Sequence, residues 1–325
     1  MPKARKLQIA LEATAWYHVI SRCVRHAFLC GQDQFTGRSF EHRRQWIEND
    51  LELLSSVFFI DIAAFAILSN HYHLVLYVDQ SAAAKADMRE IIERWHRRFA
   101  GVEASHKYLK YEPLEPQEKE QLSHLVDIWR DRLFDISWMM RTLNETTARK
   151  ANQEDKCTGR FWEGRFKSIP LLDDQAVLSC MSYVDLNPIR AGLATTPETS
   201  DHTSIKLRAK SFSEDSDRQP SHLMPLIGSH VRPDTAGIAF KLKDYLELVD
   251  WTGRQIRDKS NHIDPDAPAI LQRLNISPRH WVYLSTQFES RFKSVAGTVE
   301  SLKRTLKVFR RVRRPSLTNS RLLFS

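Results

Sequence analysis

The chain has 325 residues, of which 42% are hydrophobic and 27% charged; this composition describes a folded protein with a substantial core and excludes a disordered chain. No apolar run is long enough to span a bilayer. Because Glu12 interrupts the apolar residues that follow the basic start, the segment is a poor secretory signal, and we expect a cytoplasmic protein. The four cysteines (Cys23, Cys30, Cys157 and Cys180) form no metal-binding or redox pair and are interpreted as reduced thiols.

The formal net charge of +8 is concentrated at the C-terminal end of the chain. Residues 291–325 hold ten Lys or Arg and one acidic residue, which gives +9, so the other 290 residues together carry −1. A basic cluster of this kind commonly attracts polyanions such as nucleic acid. A solubilising tail is the alternative interpretation.

The first hundred residues predict strands and helices in the order β-α-β-β-α. Hydrophobic periodicity and β-forming residues predict strands over 13–24, 59–69 and 73–78, and helices over 39–58 and 84–101. The short Ser69-Asn70 turn joins the second and third strands as a hairpin. This order is most of a ferredoxin-like split β-α-β unit, so we predict an α+β fold with an antiparallel sheet.

The rest of the chain predicts an insertion, a return to the core and a separate helical region. A polar, proline-bearing insertion over about 101–130 precedes a helix near 131–151, an extended segment over 160–172 and a helix over 173–187 that Pro188 ends. A composition rich in Ser, Pro and Asp then predicts a linker. The predicted organisation is a domain over 1–205, a linker over 206–236 and a small, helical, basic C-terminal domain over 237–325.

Two histidines open an apolar strand in "NHYHLVLYV" (70–78). Residues i and i+2 of a strand point to the same face about 6.6 Å apart, so His71 and His73 project together. Two imidazole nitrogens at this separation can converge on one metal ion. A metal site and a pair of structural histidines therefore both remain open, and the former needs a third ligand from elsewhere.

The predicted helix over 173–187 offers a candidate for that ligand. Tyr183 and Asn187 are four residues apart and share a helix face. The amide oxygen of Asn187 could complete a metal site, and a deprotonated Tyr183 phenol is a competent covalent nucleophile. The reference pKa of a phenol is about 10, so Tyr183 needs help to ionise at neutral pH. The alternative is a core aromatic followed by a helix cap.

The segments "NHYHLVLYV", "GRFWEGRFKS" and "YVDLNPIRAGL", in this order, resemble the single-tyrosine HUH transposases, especially the REP-associated tyrosine transposases. The resemblance covers roughly residues 10–205 and implies an HUH-type ferredoxin-like fold. It implies that His71 and His73 are metal ligands, that Tyr183 is the nucleophile and that Asn187 helps to hold the metal. The implied reaction cleaves and rejoins single-stranded or hairpin DNA through a 5′-phosphotyrosine, with Mg²⁺ or Mn²⁺ as cofactor. Some relatives act as dimers, so a homodimer is also open.

Two other functions remain open at this stage: a non-catalytic DNA-binding regulator with the same fold, and a zinc hydrolase that uses the His-x-His pair. In "GRFWEGRFKS", basic residues alternate with aromatic ones, as in many single-strand binding sites, although a half-buried strand with one charged face has the same pattern. The C-terminal cluster "RRVRR" would add sequence-independent affinity. The predicted DNA-binding residues are Arg160, Trp162, Arg165, Lys167, Arg190, Arg310, Arg311, Arg313 and Arg314.

Overall fold

The computed structural model describes residues 9–24, 29–32, 37–215, 218–228, 237–258, 266–305 and 317–324. Within these residues the chain has an α+β fold with one four-stranded antiparallel sheet, in agreement with the sequence-based prediction. No helix of the described part is long and apolar enough to cross a membrane.

The sheet carries the strands in the order β2-β3-β1-β4. β1 pairs antiparallel with both β3 and β4, so β1 lies between them. A connection of three residues joins β2 to β3, as expected for a hairpin, and β3 begins at His71 instead of His73. The strands are β1 (Trp16–Arg22), β2 (Ile60–Ile67), β3 (His71–Val78) and β4 (Lys167–Leu171).

The register of the sheet collects three histidines on one face. Ile20 of β1 lies opposite His73 of β3, and His18 lies opposite Val75 of β3 and Ile169 of β4. Directly opposite residues share a face, as do alternate residues of one strand. His18, His71 and His73 therefore project from the same side of the sheet.

The contacts of the chain define two compact units. The smaller unit comprises residues 45–61 and 78–160. The sequence predicted one helix over 84–101, but the structure has two helices with a break at residues 86–87. The Asp87 side chain accepts a hydrogen bond from the Glu90 amide and so begins the second helix. The helices of this part of the chain are α1 (His42–Val57), α2 (Gln80–Lys85), α3 (Met88–His96), α4 (Glu103–Leu109), α5 (Pro116–Leu133) and α6 (Ile136–Glu154).

The larger unit comprises the described residues of 1–44, 62–77 and 161–325, and it contains the histidine face of the sheet. The extended segment predicted over 160–172 is a strand only from residue 167, and the helix predicted over 173–187 is divided at Leu186. The helices are α7 (Asp174–Asp185), α8 (Asn187–Arg190), α9 (Ser204–Glu214), α10 (Leu242–Asp258), α11 (Ile270–Arg273), α12 (Pro278–Arg291), α13 (Val299–Thr305) and α14 (Leu317–Leu323).

The first residues of the segment predicted as a linker over 206–236 belong to helix α9. The Thr203 hydroxyl accepts from the Lys206 amide and caps α9. Arg208 of α9 is fully buried and donates to the carbonyls of Ala63 in β2 and Met224. The C-terminal helices belong to the same unit as the sheet, since α12 packs on α7 and α10 packs on α8 and α9. The end of α7 is therefore held by residues from beyond position 205.

Candidate active site

The histidine pair predicted from the sequence is brought together on β3. The ring centroids of His71 and His73 lie 4.9 Å apart; His73 is fully buried and His71 is partly exposed. A third histidine, His18 of β1, is also fully buried, and its Nε2 atom lies 3.0 Å from Nδ1 of His73. The sequence-based analysis missed His18. The sequence feature that could have revealed it is the alternation along the predicted first strand, which puts the polar His18 on the same face as the apolar Trp16 and Ile20.

Burial keeps these imidazoles neutral. Burial, with a smaller contribution from nearby guanidinium groups, lowers the pKa of His71 to about 4 and that of His18 to about 3. Burial likewise lowers the pKa of His73 well below its usual range. A neutral imidazole has one nitrogen lone pair, so at neutral pH each of the three rings can accept a hydrogen bond or bind a metal ion.

Tyr183 of α7 lies against the histidines. Helix α7 begins where Asp173 accepts a hydrogen bond from the Ala176 amide, and Tyr183 follows ten residues after this cap. Its ring centroid is 5.8 Å from that of His73 and 6.1 Å from that of His18, and the rings meet edge to face. Tyr183 is 7% exposed, so the phenol reaches solvent by one edge only.

The hydroxyl of Tyr183 lies between groups of opposite charge. It donates to Oε2 of Glu289 over 3.4 Å. The Arg190 guanidinium carbon lies 3.8 Å from the centre of the Tyr183 ring, and Nη1 of Arg190 donates to the Thr286 carbonyl. Burial raises the pKa of Tyr183, Arg190 opposes this shift and Glu289 adds to it. The phenol is therefore protonated at neutral pH.

Asn187, the fourth predicted site residue of this region, begins α8 one turn after Tyr183. Its side chain is 8% exposed, and Nδ2 is buried without a hydrogen-bond partner among the described residues. The proline at position 188 lies in the first turn of α8, where the absence of its N–H costs nothing. Leu186 is the one residue between α7 and α8.

Helix α12 supplies two residues that the sequence-based analysis did not find. The Phe288 ring packs 6.1 Å from that of His18 and 6.0 Å from that of Tyr183. Glu289 follows it, and its Oε1 atom is 3.7 Å from Nζ of Lys167 on β4. Nothing in the local sequence relates residues of the helical C-terminal region to the histidines. These two residues could be found only from the packing of α12 on α7.

An open cleft of about 540 Å³ lies beside the Tyr183 phenol. Two lysines and one glutamate line it together with neutral polar groups, so the charged lining has an excess of positive charge. This composition suits a phosphate backbone better than an apolar ligand. The lining residues are Lys167, Ile169, Tyr183, Thr286, Gln287, Glu289, Ser290 and Lys293.

The predicted DNA-binding residues differ in their exposure and in whether they line the cleft. Lys167 is exposed and lines the cleft, and Arg160 and Arg165 are exposed. Trp162 is 9% exposed, and its ring packs 5.7 Å from that of Tyr72, which projects from the sheet face opposite the histidines. Because the indole belongs to this packing, it is not the open stacking platform that the sequence suggested. Arg310, Arg311, Arg313 and Arg314 lie outside the described residues.

The histidines offer some of the nitrogen donors that a metal site would need. Nε2 of His73 is buried and has no hydrogen-bond partner in the described part of the chain. If Nδ1 of His73 carries the proton that is shared with His18, its Nε2 lone pair is available to a metal. No group of three or more His, Cys, Asp or Glu side chains that could hold a metal ion occurs among the described residues. A third ligand would therefore come from an amide such as Asn187, from water or from a bound phosphate.

Comparison with known proteins gives little further information. No family model matches the sequence, and no curated protein matches it. Among solved structures, that of the REP-associated tyrosine transposase bound to a REP hairpin is similar over 73% of this chain and 97% of that chain, with 11% sequence identity and a TM-score of 0.37. This similarity is too weak to assign a family or a function.

Proposed function

We propose that this protein is a metal-dependent transposase that cleaves and rejoins single-stranded or hairpin-containing DNA through a 5′-phosphotyrosine on Tyr183. The observation that carries the proposal is the position of the Tyr183 ring, 5.8 Å from that of His73, although the residues are 110 positions apart. A nucleophilic phenol beside neutral imidazoles, in a cleft with an excess of positive charge, is suited to attack on a phosphodiester.

The proposal includes an HUH-type ferredoxin-like core within residues 1–205. In support of it, β1 and β2 follow each other in the chain through α1 but are separated in the sheet by β3. This strand order, with β4 on the free side of β1, is the one expected for a split β-α-β unit. The region 237–325 then contributes helices that complete the surroundings of Tyr183, in addition to the basic cluster near its end.

We assign His71 and His73 as ligands of Mg²⁺ or Mn²⁺, with the Asn187 amide as a further ligand. Imidazole ligands favour Mn²⁺ over Mg²⁺, which prefers oxygen. A bound divalent ion would polarise the scissile phosphate and offset its developing charge. The buried, unpartnered Nε2 of His73 and the neutral state of both rings support this assignment.

The cations of the cleft would hold the DNA backbone. Lys167 and Lys293 line the cleft beside Tyr183, and Arg190 lies over the Tyr183 ring, where its charge would also favour the phenolate. Arg160 and Arg165 are proposed as further contacts to the DNA backbone. Backbone contacts of this kind give affinity with strong salt dependence and little sequence preference.

A covalent-adduct assay tests the proposal. The protein is incubated with a labelled hairpin oligonucleotide and Mn²⁺, and adducts that survive denaturation are separated by electrophoresis and mapped by mass spectrometry. We expect an adduct at Tyr183 that is absent from Tyr183→Phe. Tyr111→Phe is the matched control, because the Tyr111 side chain is 83% exposed and lies in the smaller unit.

The competing function, a DNA-binding regulator without catalysis, predicts hairpin binding with no adduct on any substrate. The low exposure of Tyr183 is the observation that favours this alternative. A zinc hydrolase predicts stoichiometric zinc and activity that Tyr183→Phe does not change. Binding without an adduct across a series of hairpins and single strands, with both Mg²⁺ and Mn²⁺, would refute the transposase.

A further inference from the structure

Helix α12 places a carboxylate within hydrogen-bond reach of the proposed nucleophile, Tyr183. Oε2 of Glu289 accepts from the Tyr183 hydroxyl over 3.4 Å, and Oε1 lies 3.7 Å from Nζ of Lys167. Tyr183 and Glu289 are 106 positions apart in the sequence. Among the described residues that line the cleft, Glu289 is the one carboxylate.

The position of Glu289 follows from the packing of α12. Phe288 is fully buried against the rings of His18 and Tyr183, and this anchors the preceding and following turns of the helix. The next residue, Glu289, is then directed toward the phenol at the edge of the cleft. Its side chain is 24% exposed, so it remains accessible to water and to a ligand in the cleft.

Attack by Tyr183 on phosphorus requires the loss of the phenolic proton. The Tyr183 side chain is only 7% exposed, so little water can reach the phenol to take this proton. A proton acceptor that already contacts the hydroxyl removes this obstacle, because the proton can move as the new bond forms. The other charged group at the phenol, Arg190, is a cation that stabilises negative charge on Tyr183 and cannot accept a proton.

We propose that Glu289 is a catalytic residue that accepts the Tyr183 hydroxyl proton during DNA cleavage and returns it during rejoining; this inference rests on the proposed function. In cleavage, the bond between the Tyr183 oxygen and phosphorus forms and the bond between phosphorus and the 3′-oxygen breaks. The Tyr183 proton moves to Oε2 of Glu289, and the released 3′-oxygen takes a proton from water.

Rejoining reverses these transfers. A 3′-hydroxyl gives its proton to water and attacks phosphorus, and the bond between phosphorus and the Tyr183 oxygen breaks. The departing Tyr183 oxygen takes back the proton that Glu289 holds. Lys167, whose ammonium group lies 3.7 Å from Oε1 of Glu289, positions this carboxylate and does not itself exchange a proton.

The test is the single-turnover rate of adduct formation on a hairpin oligonucleotide with Mn²⁺, measured across a range of pH for the full chain. Glu289→Gln keeps the size and polarity of the side chain but cannot accept the proton. We expect it to slow adduct formation by about 10²- to 10⁴-fold, the usual contribution of a general base, and to remove the acid limb of the pH profile. Glu289→Asp should restore part of the rate together with that limb.

The matched control is Glu300→Gln, which removes an exposed carboxylate from the first turn of α13. Its rate and pH profile should equal those of the wild type. If Glu289→Gln keeps the wild-type rate and pH profile, the inference is overturned while the proposed function stands. A slower rate with an unchanged pH profile and a lowered melting temperature would also overturn it, because Glu289 would then have a structural role. If the wild type forms no adduct, the proposed function fails, and the role of Glu289 fails with it.

Discussion

Replacement of Asp185 by alanine should destabilise the larger unit strongly, because one buried carboxylate joins three helices. Asp185 is fully buried at the end of α7, two residues after Tyr183. Its Oδ1 atom accepts from the Ser204 hydroxyl at 2.5 Å and from the Ile205 amide at 3.0 Å, both in α9. Its Oδ2 atom accepts from the Tyr245 hydroxyl of α10 at 2.5 Å.

The size of the effect follows from the donors that lose their acceptor. In Asp185→Ala the Ser204 hydroxyl keeps a second acceptor, the Phe65 carbonyl at 3.3 Å, but the Ile205 amide and the Tyr245 hydroxyl lose theirs. An unsatisfied buried donor costs about 1–3 kcal/mol, so we expect the free energy of unfolding to fall by about 4 kcal/mol. Asp185→Asn, which retains an acceptor oxygen, should lose less than half of that.

Urea unfolding measures the prediction through the shift in midpoint at a constant m value. The control is Asp250→Ala, which removes a carboxylate that is 46% exposed on α10 and pairs with Arg254 across one helical turn. Such a surface pair contributes about 0.5 kcal/mol or less. If Asp185→Ala and Asp250→Ala differ by less than about 1 kcal/mol, the buried carboxylate does not hold the three helices together.

Three further predictions concern the cleft, the smaller unit and the thiols. Lys167→Gln should reduce the slope of log affinity against log salt for single-stranded DNA by about 0.7, as measured by fluorescence anisotropy; an unchanged slope would exclude a phosphate contact. Gly101→Ala should destabilise the protein by about 1–3 kcal/mol in urea, because a Cβ atom there would overlap the His96 imidazole and crowd Oγ of Ser105, and His96→Ala should relieve the larger part of the loss. Cys157, which is partly exposed, should be alkylated before Cys30, since burial raises the pKa of the Cys30 thiol to about 12; mass spectrometry of partly labelled protein shows the order, and equal labelling would contradict the burial of Cys30.

Local sequence patterns predicted the parts of the site that depend on one element at a time. Alternation along the third strand placed His71 and His73 on one face. Tyr183 and Asn187, which were predicted to share one helix, lie on the separate helices α7 and α8. The aromatic residues near β4 show the limit of such patterns. Alternating charge and aromatic side chains fit a DNA-binding strand and a half-buried segment equally well, and the contact with Tyr72 shows that Trp162 belongs to the second class.

The β-α-β-β-α order of the first elements along the chain, the hairpin of β2 and β3 and the shared face of the paired histidines followed from the sequence by itself, because the periodicity of an extended or helical backbone is a property of neighbouring residues. Only the tertiary structure decided that His18 meets His73, 55 positions away, and that Glu289 meets Tyr183, 106 positions away. These contacts depend on the register of β1 beside β3 and on the packing of α12 against α7. Neither is encoded in any short stretch of the chain, because both result from burying several apolar surfaces at the same time.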